Sequence, residues 1–266
     1  MNAVRGFRSM RPQRSPSIGS LSGTHRAGLA VAGLITFVAA WELIGRAEVF
    51  GRAWPPFTAV LSQWAESRSL LLSALAVTTY EAAVGWVIGT LLAILSGVIT
   101  VFFRAMRPGV LHVAVAVNSI PVIALGPVLI SIFPLGVAPV ALAAISVYFT
   151  TLVAAMTGFT ATNTAHEDLF TVLGAGTSER FRRLQLPAAL PLIVDGLKLA
   201  VPAAVLGAIL GEWFGSPRGL GPILVATMQD AVYPLLWATA LTGVVLSMFG
   251  FGLLALAHRR AKERYG

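Results

Sequence analysis

The chain has 266 residues, 56% of them hydrophobic and 11% charged, with a mean hydropathy of +0.81 and a formal net charge of +8. Soluble domains carry about 25% charged residues, so the composition excludes an ordinary water-soluble enzyme and a disordered chain. The absence of cysteine excludes disulfide scaffolds, thiolate zinc sites and cysteine nucleophiles.

Residues 1–26 are rich in Arg, Ser, Pro and Gly and hold no acid, the composition of a disordered basic tail. The apolar run 27–45, with only Glu42 near its end, predicts a first membrane helix. Val38-Ala39-Ala40 has the small residues of a signal-peptide cleavage site, but an uncleaved helix agrees better with the even number of spans counted below. Residues 46–69 follow as an external segment with Pro55, Pro56, Trp54 and Trp64, tryptophans that suit a membrane interface.

Residues 70–257 predict a core of five more helices. Residues 82–103 form an uncharged run of 22, and residues 108–165 an uncharged stretch of 58. One bilayer crossing takes about 20 apolar residues, so the longer stretch holds two spans and a turn. Phe133-Pro134-Leu135-Gly136 supplies that turn. Residues 191–211 are apolar apart from Asp195 and Lys198, and 231–257 form a last uncharged run of 27. Residues 258–266 are a second basic tail. Barrel strands would alternate over roughly 10-residue segments; these runs are continuous. The fold class expected is an all-α integral membrane protein with six transmembrane helices.

With the N-terminus in the cytoplasm, fourteen Lys and Arg lie inside, including Arg104, Arg107, Arg180, Arg182 and Arg183. Four lie outside: Arg46, Arg52, Arg68 and Arg218. Basic residues concentrate in cytoplasmic loops, so both termini are expected inside. The net charge then reflects topology and anionic lipid headgroups, and no nucleic-acid partner is expected.

The internal loop 160–190 is the most informative connection. Thr160 or Thr164 can cap a helix whose first turn holds His166, Glu167 and Asp168, with acids at the positive helix end. Leu169, Val172 and Leu173 recur at helical spacing, and Gly174 and Gly176 end the pattern. Thr177 or Ser178 opens a second short helix through Glu179, Phe181 and Leu184 that stops before Pro187. Two short helices around a glycine bend make a knob that either docks in a groove of another protein or lies on lipid through its arginines.

The loop resembles the EAA loop of ABC importer permeases: Glu-Ala-Ala, three residues, Gly, nine residues, a hydrophobic residue, any residue, Leu and Pro. Gly174, Leu184, Leu186 and Pro187 stand at the matching offsets. Asp168, Leu169 and Phe170 replace the triplet, keeping a carboxylate and exchanging two alanines for bulk. A literal Glu81-Ala82-Ala83 is a decoy, because it opens a membrane span and its glycine comes too early, at Gly85. GEWFGSPRGLG (211–221) and NSIPVIALGPVLISIFPLG (118–136) are similar to the turn after the fifth helix and to the third helix of permeases of the nitrate, sulfonate, taurine and thiamine-precursor group. The resemblance covers about 70–257 and implies the type I ABC importer permease fold.

It further implies a membrane dimer, expected to be a homodimer, with two cytoplasmic ABC ATPase subunits beneath the knobs and an external solute-binding protein. Glu167, Asp168, Leu169, Gly174, Ala175, Glu179, Arg180, Phe181, Leu184, Leu186 and Pro187 would couple the chain to the ATPase. ATP and Mg would be bound by that partner. This chain has no phosphate-binding G-x-x-x-x-G-K-[ST] loop around Lys198 or Lys262, and no cofactor or metal is expected in it.

Ionisable residues within spans are costly and are functional candidates by default. Glu81, at the outer start of the second span, either stands in solvent at the interface or lines the pathway. Asn118 either bonds a neighbouring helix or lines the path, and Pro121 follows it. Glu212 and Trp213, beside Gly219 and Gly221, either anchor the interface or form an external gate or dock for the binding protein. Asp195 and Lys198, three apart on one helix face, read as a structural pair. The four histidines have no metal-ligand spacing. The function expected is the permease of an ATP-driven importer for a small polar or anionic solute. The alternative is an ATPase-independent channel or secondary transporter, which would show inverted repeats and ion-coordinating acids.

Overall fold

The computed structural model describes residues 23–134, 136–214 and 216–265, and among these the regular structure is entirely helical. The expected tail 1–26 lies almost wholly outside the described residues. Packing divides the chain after Phe57.

In the first unit, α1 (Gly23–Arg46) exposes apolar side chains such as Leu29, Leu34, Ile35 and Leu43, a surface that belongs against lipid or protein. Glu42 pairs with Arg46 one turn on, at 2.6 Å. The Pro55-Pro56 segment folds back so closely on Gly45 that a methyl there would stand 2.6 Å from the Pro56 nitrogen. Trp41 is buried there, its ring 5.1 Å from that of Trp54, and it donates to the Pro55 carbonyl at 3.1 Å.

The short amphipathic helix α2 (Phe57–Glu66) begins at that boundary, and in the second unit its Val60 packs with Leu71 and Ala238. Next comes α3 (Arg68–Phe102), which begins well before the predicted start at residue 82. The sequence pattern was cut short at Glu81 because a charge was read as a span boundary. The helix instead carries that residue inside, about 20 Å from its first turn at 1.5 Å per residue.

The predicted third span is broken. α4 (Arg107–Ser119) and α5 (Val122–Ile132) meet at 94°. A residue before proline is pushed out of the helical region, and Ile120, before Pro121, is extended at φ −75°, ψ 124°. α6 (Val137–Phe159) follows Gly136, whose φ is +89°. The turn falls where the sequence placed it, although Leu135 lies outside the described residues. Then come α7 (Thr164–Val172), α8 (Thr177–Arg180), α9 (Leu186–Glu212), α10 (Leu220–Gln229) and α11 (Tyr233–Tyr265). Among the described residues, five helices are long and apolar enough to cross a membrane, or six if α4 and α5 together count as one span.

The core is α6 clasped between α3 and α9. Small residues let backbones approach closely where lipid gives helices no hydrophobic drive to associate. A methyl at Gly85 would stand 2.7 Å from the Val140 carbonyl oxygen, and one at Gly207 2.7 Å from that of Leu142. The pairs Gly85/Gly89 and Gly207/Gly211, four apart on their helices, thus press neighbouring faces of α6 that meet at Ala143. Buried threonines return their hydroxyls to the preceding turn, as Thr239 and Thr242 do at 2.7 and 2.8 Å, which satisfies them without water.

Candidate functional site

The loop 160–190 folds as a knob, with two departures from the predicted plan. Asn163, not a threonine, caps α7 by accepting from the Ala165 N–H at 3.0 Å. The second arm does not stop before Pro187. α8 passes through a π turn at Phe181–Gln185 directly into α9, making one continuous helix from Thr177 to Glu212, 36 residues long. The π turn at Phe181–Gln185 lies directly before Pro187, a local widening of the kind that accompanies a proline inside a helix.

Between the arms, Gly174 has φ +68°, a left-handed conformation that side chains oppose. Gly174 N–H donates to Thr171 O at 3.0 Å and Ala175 N–H to Phe170 O at 2.9 Å, the paired bonds of a glycine-terminated helix end. A methyl on Gly174 would meet nothing within 4 Å. Backbone handedness, not bulk, therefore fixes this residue.

Glu167 joins the two arms. Its carboxylate accepts from Thr162 Oγ1 at 2.7 Å, lies 3.2 Å from Arg180 Nε and stands 3.5 Å from Gln185 Nε2. Arg180 Nε is oriented off the line of a hydrogen bond, so that contact is a charge pair. Its Nη2 donates to Thr171 at 2.7 Å. Asp168, which occupies the motif's carboxylate position, is exposed beside this network. Phe181 roots the knob by edge contacts with Phe102 and Phe159 at 5.5 and 5.4 Å, while Leu184 and Leu186 are half-buried and Pro187 is exposed. Glu179 faces outward and pairs with Arg183 at 3.3 Å. Leu169 is exposed, as are Val172 at 85% and Leu173 at 71%, an unpartnered apolar tip with Ala175 half-buried behind it.

At the opposite end of the same helix, Glu212 is 1% exposed. Its carboxylate accepts from Thr78 Oγ1 and from the Gly221 N–H, both at 2.6 Å. Thr78 in turn accepts from the Leu220 N–H at 3.0 Å. Glu212 thus ties the first turn of α10 to α3 and α9. Gly219 (φ +114°) and Gly221 leave the room: a methyl on Gly221 would stand 2.5 Å from Glu212 Cβ. Glu81, three residues from Thr78 on α3, is 6% exposed, and its Oε2 is buried without a hydrogen-bond partner. Neither acid is therefore in solvent at an interface. Trp213 points elsewhere, lining an apolar groove of about 630 Å³ with residues of α9, α10 and α11.

Asn118 and Pro121 are exposed at the α4–α5 bend and share no bond with the Thr78–Glu212 cluster among the described residues. Asp195 and Lys198 do meet, at 2.5 Å, joined by His258 of α11 at 3.5 Å from Asp195 and 3.2 Å from Lys198. Sequence reasoning missed Thr162, Thr171, Gln185, His258 and Thr78. Only Thr78 left a signal, because Thr78 and Glu81 are three apart and share a helix face.

Residues 85–263 match the family model described as the binding-protein-dependent transport system inner membrane component. The chain belongs to this family. It is 30% identical over 218 residues to the formylaminopyrimidine transport permease protein ThiX of Halalkalibacterium halodurans, covering 80% of this chain and 86% of that protein. It is 29% identical to a protein of Haemophilus influenzae named as an ABC transporter permease, over 87% of this chain and 95% of the relative. In fold it is similar to a chain of the MetNI methionine ABC transporter in an inward-facing conformation, with TM-score 0.60 at 16% identity over 74% of this chain and 96% of that one.

The permease is accordingly a multi-pass protein of the bacterial inner membrane. It is a subunit of a binding-protein-dependent ABC transporter and not an enzyme; ATP hydrolysis belongs to a separate subunit. Its family works with an ATPase and a binding protein in general.

Proposed function

We propose that this permease forms the translocation path for a small polar or anionic solute, delivered by an external binding protein and driven by two ATPase subunits at the 160–190 knob. Both termini and the knob lie in the cytoplasm, two copies form a homodimer, and ATP and Mg are held only by the ATPase. The ThiX relative is named for a pyrimidine, and a small polar heterocycle of that kind heads the candidate solutes.

The observation that carries this reading is the unbroken helix Thr177–Glu212. Its first turns belong to the knob and its last residue holds α10. At 1.5 Å per residue it is about 54 Å long, so one continuous helix links the proposed ATPase dock to the far side of the bundle. The apolar tip at Leu169, Val172 and Leu173 gives a partner groove something to bury. Closure of the ATPase would tilt the arm and rock α9 against α6 between inward- and outward-open states. Residues 27–69 supply the first helix and external segment of this unit, and 70–257 the moving core.

The test is mild-detergent purification of the tagged chain from its host, with mass identification of partners and an ATP hydrolysis assay. A co-purifying ATPase whose hydrolysis responds to the permease, and is lost with Gly174→Leu, is the expected result. A lone oligomer that transports solute without ATP would replace this reading with a channel or secondary carrier.

A further inference from the structure

The 94° break between α4 and α5 sets backbone groups free. The carbonyls of Asn118, Ser119 and Ile120 and the N–H groups of Val122 and Ile123 take no hydrogen bond among the described residues. The last bonds on either side run from Ile120 N–H to the Val117 carbonyl at 3.3 Å and from Ala124 N–H to the Pro121 carbonyl at 2.8 Å. Asn118 adds an exposed amide that can both donate and accept. Ser119, Ile120 and Pro121 are exposed as well, so the whole elbow projects.

Both arms are anchored, which fixes the depth of the elbow. Ala114 of α4 is fully buried against Ala93, Leu152 and Met156. Gly126 of α5 lies so close under the Phe214 ring, just past the end of α9, that a methyl there would collide with it. Gly211 packs on Pro139 at the start of α6, whereas Leu152 and Met156 lie toward its other end. The elbow therefore sits part-way along α6, within a stretch, 108–165, that has no Asp, Glu, Lys or Arg. His112 turns its ring back to the Pro108 carbonyl at 2.6 Å.

Lipid offers these freed groups nothing. Non-helical backbone at membrane depth persists only when buried in protein or lining a water-filled cavity. Water satisfies every group at once, without the matched geometry that a dry contact would demand of a patch set against its own copy. The elbow also joins the negative C-terminal end of α4 to the positive N-terminal end of α5, so the two helix dipoles offset each other there.

We propose that the α4–α5 elbow lines the aqueous solute path, and that Asn118 and the freed backbone of 118–123 bind a neutral solute rich in hydrogen-bond donors and acceptors, in preference to an anion. The inference rests on the translocation reading above and narrows its solute class. Its test reads water and charge at the elbow, not uptake or ATP hydrolysis, so its failure is distinguishable from that of the importer reading.

The chain has no cysteine, so single cysteines report directly. Full-length Asn118→Cys and Ser119→Cys, in broken membranes open on both faces, are treated with two methanethiosulfonates, one bearing a trimethylammonium and one a sulfonate. A hydrated thiolate is the reacting species, so both variants should label at least about tenfold faster than Leu91→Cys. Leu91 is 55% exposed, but on the unbroken helix α3. With the dipoles offset, the ratio of the two reagents' rates should match that for free mercaptoethanol to within about threefold. Labelling as slow as that of Leu91→Cys at both positions overturns the aqueous elbow, and a disulfide between two copies of Asn118→Cys would then identify a dry subunit contact in its place. A marked preference for the sulfonate or for the ammonium overturns the neutral solute class. Should one variant fail to accumulate, the other decides.

Discussion

At one end of the Thr177–Glu212 helix a glutamate meets an arginine; at the other a glutamate meets a threonine hydroxyl and a backbone N–H. Both acids do the same mechanical work. Glu167 holds the short helix α7 against the start of the long one, and Glu212 holds the short helix α10 against its end. Their surroundings differ. The Glu167 and Arg180 side chains are 25% and 22% exposed, so water still screens them, whereas Glu212 is 1% exposed. In a wet site full charges are affordable and individually weak. In a dry one, a carboxylate persists only when donors take its lone pairs, which is the part played by Thr78 and the Gly221 backbone. Under the proposed coupling, the wet end is the one a partner can re-aim, while the dry end stays closed.

The sharpest way to break the wet end without touching the dry one is Gly174→Leu. A side chain at φ +68° costs roughly 1–2 kcal/mol, too little to unfold a domain, yet it removes the bend that sets the angle between α7 and the long helix. Uptake is expected to fall to background while membrane insertion and the α9–α10 contacts persist. Transport assays beside membrane-fraction blots check this, and normal uptake would sink the coupling role of the knob.

Glu212→Ala strikes the dry end. It strands the buried Gly221 N–H, leaves the Thr78 hydroxyl only its longer bond to the Ala74 carbonyl at 3.2 Å, and opens a cavity where the carboxyl stood. At about 1–3 kcal/mol for each buried polar group left unsatisfied, a loss of about 3–5 kcal/mol is expected. The purified variant should melt well below wild type. Equal melting temperatures would mean that water enters this end too.

How much of this was legible beforehand differs between the two ends for a physical reason. The knob is built from contacts close in sequence: a cap, a glycine stop and arms a few residues apart. Its position, its bend at Gly174 and the helical spacing of Phe181 and Leu184 could be read locally. The cluster at the far end of the long helix joins Thr78 to Glu212 across more than 130 residues, and no local period records such a pairing. Gly219 and Gly221 announced a tight turn but not the carboxyl beneath it. The reading also failed where charge served as a ruler. Glu81 looked like a span edge because it is an acid, and Pro187 looked like a helix end because it is a proline, yet each lies inside a continuous helical run. The 94° bend at Pro121 was hidden in an uncharged stretch, where hydropathy reports length but not direction.

Glu167→Gln sharpens the comparison from the wet side. The amide can still accept from Thr162 but loses the charge that faces Arg180. Partial exposure limits the pair to about 1 kcal/mol, so the chain should fold normally. The two arms should nevertheless loosen, and uptake should drop several-fold with little change in melting temperature. A fall of many degrees instead would place Glu167 among the dry acids.

Asp195 gives the smallest expected effect and asks where along the helix water stops. It lies between the two ends, pairs with Lys198 at 2.5 Å and has His258 at 3.5 Å, yet its side chain is 53% exposed. If that open face meets water, as the wet end does, Asp195→Asn removes a screened pair and costs about 0.5 kcal/mol. Lys198 keeps the His258 nitrogen at 3.2 Å as an acceptor when the imidazole is neutral. The expected outcome is therefore a melting temperature within a degree or two of wild type, with unchanged uptake. A large loss would mean that an ammonium had been abandoned in lipid, where an unpaired charge costs several kcal/mol. The dry regime would then begin below Asp195, and the long helix would run from water into hydrocarbon over its first few turns.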